Sequence, residues 1–325
     1  MLNIAKCPYR VSLLGGGSDI DWWIKQGNFG ICFGFAINRH SHVVIAESTR
    51  SNGILNYSSR ETYDSIKTIS HPLIREALLE LNQSKPIELC SFGSHKGGGG
   101  LGGSSSFLNC LIAAIINFQG KSFTPSQIAA LSCKIEIDNL KKPIGRQDQY
   151  LTALGGIQIL NFSNTNVAVA HEFSKKQNDD LCKFLDNCII VPTKKERSTD
   201  KILSNVKSST KSSKLIESIR DKASIFLDSI KKYDEIDCDL LSKLIYESWQ
   251  EKKEMQGVLN SSLIQMEEFL NDLGVQCLKL LGAGGGGSFF CRPKNKVEFT
   301  KILNYHKVDY FDIEVDPLGV EICAF

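Results

Sequence analysis

The residues best placed to do chemistry lie in GGGGLGGSSS, from Gly97 to Ser106. Gly97, Gly98, Gly99, Gly100, Gly102 and Gly103 surround Leu101 and run into the hydroxyls of Ser104, Ser105 and Ser106. A glycine loses more backbone freedom on folding than a residue with a Cβ, so such density marks a backbone that must approach something closely. The apolar run FLNCLIAAIINF follows; it is too long for an ordinary strand and reads as a buried helix. A glycine loop opening a helix leaves several N–H groups unpaired, with the positive end of the helix dipole behind them. Such a site suits a phosphate. The serines could cap the helix, donate to phosphate oxygens or ligate a metal. The Lys-Ser/Thr pair of a Walker A loop is missing, which argues against a P-loop. A formal GxGxxG stands at Gly98, Gly100 and Gly103. The acid that a dinucleotide site needs about 20 residues later is replaced by QGKSFTPSQ.

Two more glycine clusters flank this one. LLGGGSDIDWW follows a strand that carries Arg10, and it brings Gly17, Ser18, Asp19 and Asp21 together. It reads as a tight turn with an Asp N-cap, as a polar site, or as both. GAGGGG, with Gly284 and Gly285, separates CLKLLG from SFFCR. Glu136 falls on a helix whose buried face is marked by Ile128, Leu131 and Ile135, and is offset from the middle of that face. Read by itself it is a solvated charge. Asp148, in RQDQYLTALGG, stands at a helix start, where an aspartate is ordinarily a cap. His40 and His42 share one strand face without an evident third ligand and read as structural.

These groups must be positioned by the elements around them. Strands are expected at 3–14, 31–37, 42–47, 86–92 and 157–162, and Thr124-Pro125-Ser126-Gln127 is a capped helix start. In the second half, a strand at 188–193 runs into a polar, lysine-rich stretch at 194–214 that reads as a loop containing a helix or two. Helices at 213–233, 239–256 and 260–273 follow, then strands at 277–282 and 288–292, a helix at 294–305, and strands near 310–315 and 319–323. Strand, helices, strand, strand, helix, strand is the order of a split βαβ sandwich. The pattern predicts two domains, 1–170 and 171–325, with glycine clusters from both facing a shared cleft.

Composition narrows the function classes. The hydrophobic content of 42% and charged content of 23% fit a globular protein. A net charge of +2 offers no global field for nucleic acid or an anionic membrane, so neither is an expected partner. No run reaches the ~20 apolar residues of a membrane span, and MLNIAKCPYR does not read as a signal peptide. Eleven cysteines without a CxxC pair read as reduced core residues of a cytoplasmic protein.

Taken together, PYRVSLLGGGSD, GGGGLGGSSS and LLGAGGGGSFF, in that order, resemble the three motifs of the GHMP kinases, and the likeness spans nearly the whole chain. Within that family the chain is most similar to the bacterial D-glycero-D-manno-heptose 7-phosphate kinases, through GGGSD, GLGGSS, QDQY and SWQEKK. Galactokinases carry Glu-His where this chain has Gly16 and Gly17. The resemblance implies an α+β, two-domain fold: an N-terminal ribosomal-protein-S5-like α/β domain that binds ATP, and a C-terminal ferredoxin-like domain. It implies ATP and Mg²⁺ as cofactors, with residues 97–106 around the phosphates and Ser104 and Glu136 on the metal. It makes Asp148 the acceptor of the sugar hydroxyl's proton, and sets Arg10 against the transferring phosphate. Gly17, Ser18, Asp19, Thr193, Arg197, Gly284 and Gly285 become the substrate-binding set, with Arg197 gripping the substrate's own phosphate. Trp249, Lys252 and Lys253 are weaker members. The expected partner is a small-molecule sugar phosphate, with a homodimer as the assembly considered. The alternatives are a kinase for another sugar, such as fucose, and a non-catalytic sensor of ATP and sugar. Two departures stand out: Ser94, His95 and Lys96 replace the proline usual before the central loop, and KKPIGR before Asp148 is poor in glycine.

Overall fold

The computed structural model describes residues 2–94, 99–164, 166–193, 210–255 and 257–323. The first sheet is built around β1 (Asn3–Leu14) and β2 (Gly30–Glu47), which run antiparallel along most of their length. It also holds β3 (Gly53–Asn56), β4 (Arg60–Tyr63), β5 (Ile87–Gly93), β6 (Ile157–Phe162) and β7 (Val167–His171). The second sheet contains β8 (Ile189–Pro192), β9 (Val275–Leu280), β10 (Ser288–Pro293) and β11 (Phe311–Asp312), in the order β11-β8-β10-β9. All three of its pairings are antiparallel, as a split βαβ unit requires.

Two expected strands, 31–37 and 42–47, are one. β1 runs beside both segments, so nothing separates them on that side. On the other side β2 changes partner, from β6 at Gly30–Phe35 to β5 at Ser41–Glu47. The polar Asn38-Arg39-His40 segment lies at that change, next to a register shift opposite Pro8 and Tyr9. The expected strand at 310–315 shrinks to Phe311–Asp312. Beyond it the chain leaves the second sheet: Val315 bridges Ile37, and Glu314 accepts the Asn38 N–H. The final strand, β12 (Glu321–Cys323), pairs with β1 in the first sheet.

The Gly103–Phe118 helix anchors the Gly99–Gly102 turn before it. It is buried on nearly every face, and Leu108, Leu111, Ile112 and Ile115 join a core with Val43, Ile45 and Leu89 of the sheet. A second core unites the halves of the chain. Phe33 and Phe35 of β2 meet Phe184 of the Lys175–Asp186 helix and Phe226 of the Thr210–Lys232 helix. The Phe33 and Phe226 rings lie 4.7 Å apart between centroids. Burying each such side chain contributes about 2–3 kcal/mol. Seven cysteines are buried, including Cys7, Cys110 and Cys291, and all eleven are free thiols. Among the described residues no helix is long and apolar enough to cross a membrane.

Candidate active site

Gly102, at φ 72°, stands just before the Gly103–Phe118 helix, and no side chain caps that helix. Its first-turn amides are therefore left for a ligand. Gly100 is also left-handed, at φ 74°. A Cβ there would lie 2.5 Å from the Leu281 carbonyl oxygen, and one at Gly102 would lie 2.8 Å from Arg10 Cγ. Only glycine fits either place. Both neighbours pin the loop: Leu101 accepts the Arg10 N–H at 2.9 Å, Gly100 accepts Arg10 Nη1–H at 2.6 Å, and Gly99 accepts the Ser288 hydroxyl at 2.8 Å. Gly97 and Gly98, with His95 and Lys96, lie outside the described residues. A cavity of about 870 Å³ opens against Gly99–Ser105, and Arg10, Glu136 and Asp148 also line it. That size suits a small-molecule site.

Asp148 lies in the first turn of the Gln147–Leu154 helix, but Arg146 holds the cap position. Its carboxylate faces Arg10 instead: Nε–H donates to Oδ1 at 2.7 Å and Nη2–H to Oδ2 at 2.5 Å. One guanidinium thus touches both the carboxylate and the glycine loop. Such a fork fixes orientation as well as distance.

Glu136 corrects its reading as a solvated charge. The helix that begins at Pro125 widens into a π-helical segment, Lys134–Asn139, and Glu136 within it is 1% exposed. Oε1 accepts from the Ser104 hydroxyl and Lys142 Nζ, both at 2.9 Å. Oε2 accepts from the Ser105 hydroxyl at 3.2 Å and Gln149 Nε2 at 2.7 Å. Ser106 takes no part; it donates to the Cys7 carbonyl and shares a hydrogen bond with the Ser41 hydroxyl, anchoring the helix to β1 and β2.

The first glycine turn divides its residues between site and scaffold. Gly17 and Asp19 line the cavity, but Asp19 is fully buried, and it accepts from the N–H groups of Gly17 and Gln147 and from Gln147 Nε2. Burial raises its pKa and the nearby Asp148 charge adds to this, against the Gln147 N–H. Ser18 spends its hydroxyl on the Gly15 and Ile31 backbones and does not reach the cavity. Asp21 pairs with Arg146, tying this turn to the start of the Asp148 helix.

From the second half, Gly282 and Ala283 line the cavity, whereas Gly284 and Gly285 do not. Gly285 bonds Val258 and Asn260, and Gly284 packs against Val258. Thr193 bonds the Gly287 carbonyl, away from the cavity lining. Arg197 lies outside the described residues. Within SWQEKK, Lys252 reaches the cavity and the Gly282 carbonyl. Trp249 is buried, and both it and Lys253 donate to Glu267.

Sequence reasoning missed several lining residues. Lys142 and Lys279 are two. Lys279 comes from β9 and donates to the Leu13 carbonyl across the two sheets. Burial brings its pKa down to about 8, Arg10 adding to this and Cys32 opposing it. Four more form an aromatic corner: Tyr57, His71 and Phe107 are stacked edge to face, and Phe92 is exposed nearby. No periodicity marks these residues, which come from separate elements. A phosphate cradle, a carboxylate turned to the cavity and an aromatic wall can together hold a nucleotide beside a second molecule.

Residues 72–156 match the family model of the GHMP kinases N terminal domain. Over 97% of its length the chain is 25% identical to D-glycero-alpha-D-manno-heptose 7-phosphate kinase of Campylobacter jejuni, covering 96% of that protein. The fold is similar to that of a D-glycero-D-manno-heptose 1-phosphate kinase from Bacteriodes thetaiotaomicron, with a TM-score of 0.79 at 19% identity, covering 100% of this chain and 99% of that one. It is also similar to the mevalonate kinase of Methanococcus jannaschii, with a TM-score of 0.72 at 22% identity, covering 96% and 98%.

Proposed function

We propose that the chain is a GHMP kinase, a phosphotransferase with an alcohol acceptor, and that it transfers the γ-phosphoryl group of ATP to the anomeric hydroxyl of a sugar phosphate. The substrate class is a heptose 7-phosphate, and the product a 1,7-bisphosphate that feeds nucleotide-activated heptose into surface polysaccharide. The observation that carries this reading is the Arg10 fork, which joins Asp148 to the Gly100 carbonyl inside one cavity. A base and a phosphate cradle linked in this way satisfy the positioning that phosphoryl transfer needs. Asp148 takes the hydroxyl proton as that oxygen bonds to the γ-phosphorus and the bond to the β–γ bridging oxygen breaks, releasing ADP. The Gly99–Ser105 loop holds the phosphates, and the aromatic corner around Tyr57 and His71 seats the base. Ser104 and Glu136 are hard oxygen donors that suit Mg²⁺, and an ammonium group already stands against the Glu136 carboxylate. Bound there, Mg²⁺ would neutralise phosphate charge. Arg197 and Lys252 are assigned to the substrate's phosphate end.

Release of ADP across a panel of sugars with and without a terminal phosphate tests the assignment. Heptose 7-phosphate is expected to be the best acceptor. A preference for unphosphorylated hexoses would remove Arg197 from its role, and ATP binding without turnover on any sugar would leave a sensor in place of an enzyme.

A further inference from the structure

Lys142 has no part in the chemistry above, yet it is built into the site with unusual care. Lys141 is one of three non-glycine residues at positive φ among the described residues, at 54°. A lysine rarely holds that conformation unless its surroundings fix it. The turn it makes folds the chain back so that the Lys142 N–H reaches the Glu136 carbonyl at 3.0 Å and its Nζ reaches Glu136 Oε1 at 2.9 Å. Pro143 follows directly and restricts Lys142 from the other side. The ammonium occupies a lone-pair direction on the oxygen that Ser104 also touches. Its side chain is 22% exposed and lines the cavity, so it has room to leave.

We propose that Lys142 is the resident cation of the divalent-metal seat: it neutralises Glu136 before nucleotide arrives and competes directly with the metal for Oε1. The inference rests on the reading of Ser104 and Glu136 as that seat. With four donors filling the carboxylate, a free divalent ion must displace the ammonium. A metal–nucleotide complex brings phosphate oxygens that can receive the displaced charge. Metal alone therefore binds weakly, and the site loads with the complex.

The test is Mn²⁺ binding to the nucleotide-free protein, followed by electron paramagnetic resonance. Lys142→Met is expected to bind Mn²⁺ on the order of tenfold more tightly than wild type, while Lys142→Arg, which keeps a cation there, stays near wild type. Glu136→Gln should abolish the gain when combined with Lys142→Met. Unchanged or weaker Mn²⁺ binding by a folded Lys142→Met overturns the proposal; Lys142→Gln serves if the methionine variant does not fold. A second measurement needs no variant. Acylation of Lys142, read by peptide mapping, should rise when Mn²⁺ is added to wild type, and no rise counts against the proposal. Failure of the seat itself would look different: Mn²⁺ with a non-hydrolysable ATP analogue would bind wild type and Glu136→Gln equally.

Discussion

Glu136 and Asp148 line one cavity and are held in opposite ways. Glu136 is 1% exposed, and each oxygen has two donors drawn from Ser104, Ser105, Lys142 and Gln149. Asp148 keeps a side chain 29% exposed, and one guanidinium supplies its donors. A carboxylate whose lone pairs are all engaged can hold charge in place but has little capacity to take a proton from a newcomer. One gripped along a single edge stays oriented and still presents an oxygen to the cavity. The serines repeat this contrast, since Ser104 faces the cavity while Ser106 is sealed against Cys7 and Ser41.

Replacing the open carboxylate should give the largest effect. Asp148→Asn is expected to lower kcat by ~10²-fold or more through loss of the general base, with the fold retained but the urea midpoint lowered, because the buried Arg10 guanidinium loses its counter-charge. A variant that keeps its rate would erase the distinction between the two acids. The serine pair comes next. Ser106→Ala should cost about 1–3 kcal/mol in urea unfolding, because it removes two buried hydrogen bonds, to the Cys7 carbonyl and the Ser41 hydroxyl. Ser104→Ala should stay within ~0.5 kcal/mol of wild type while losing activity. If both lose the same stability, the sealed and open positions are not different in kind.

The smallest effect, counted per pH unit, is at Lys279, a sealed cation. Its folded pKa of about 8 lies below the ordinary 10.5. Between those values the unfolded chain binds a proton that the folded chain lacks. The contribution of Lys279 to stability should therefore rise with pH through that window, against buried thiols such as Cys7 and Cys277 whose raised pKa pulls the other way, and its burial cost is fully present below about 8. The slope is at most ~1.4 kcal/mol per pH unit. Lys279→Met should remove it, which urea unfolding at a series of alkaline pH values would detect; an unaltered slope would mean that burial does not set the charge of this lysine.

The sequence made some of this plain and hid the rest for physical reasons. Gly100 and Gly102 were legible because left-handed backbone and close approach to Leu281 and Arg10 leave no other residue possible. Trp249, a weaker member of the substrate set by resemblance, is a core residue. Glu136 was misread because its placement assumed the regular period of an α-helix, and the π-helical turn at Lys134–Asn139 changes which way a side chain faces. Gly284 and Gly285 were indistinguishable by type from Gly282, though only the last lines the cavity, since the Val258 turn that claims them is remote in sequence. Tyr57, His71, Phe92 and Phe107 left no trace because only the packing of several elements brings them together.

The return of β12 to β1 also bears on synthesis. Lys6 pairs with His42 on one side and with Glu321 on the other, so the free edge of β1 at Ile4–Lys6 stays bare until β12 has docked on it. An edge in that state invites pairing with another chain, and closing it depends on contacts of very large sequence separation, which form slowly. Shortening the chain before Val320 should therefore show first as lost yield in cells, ahead of any loss of specific activity in the protein that survives.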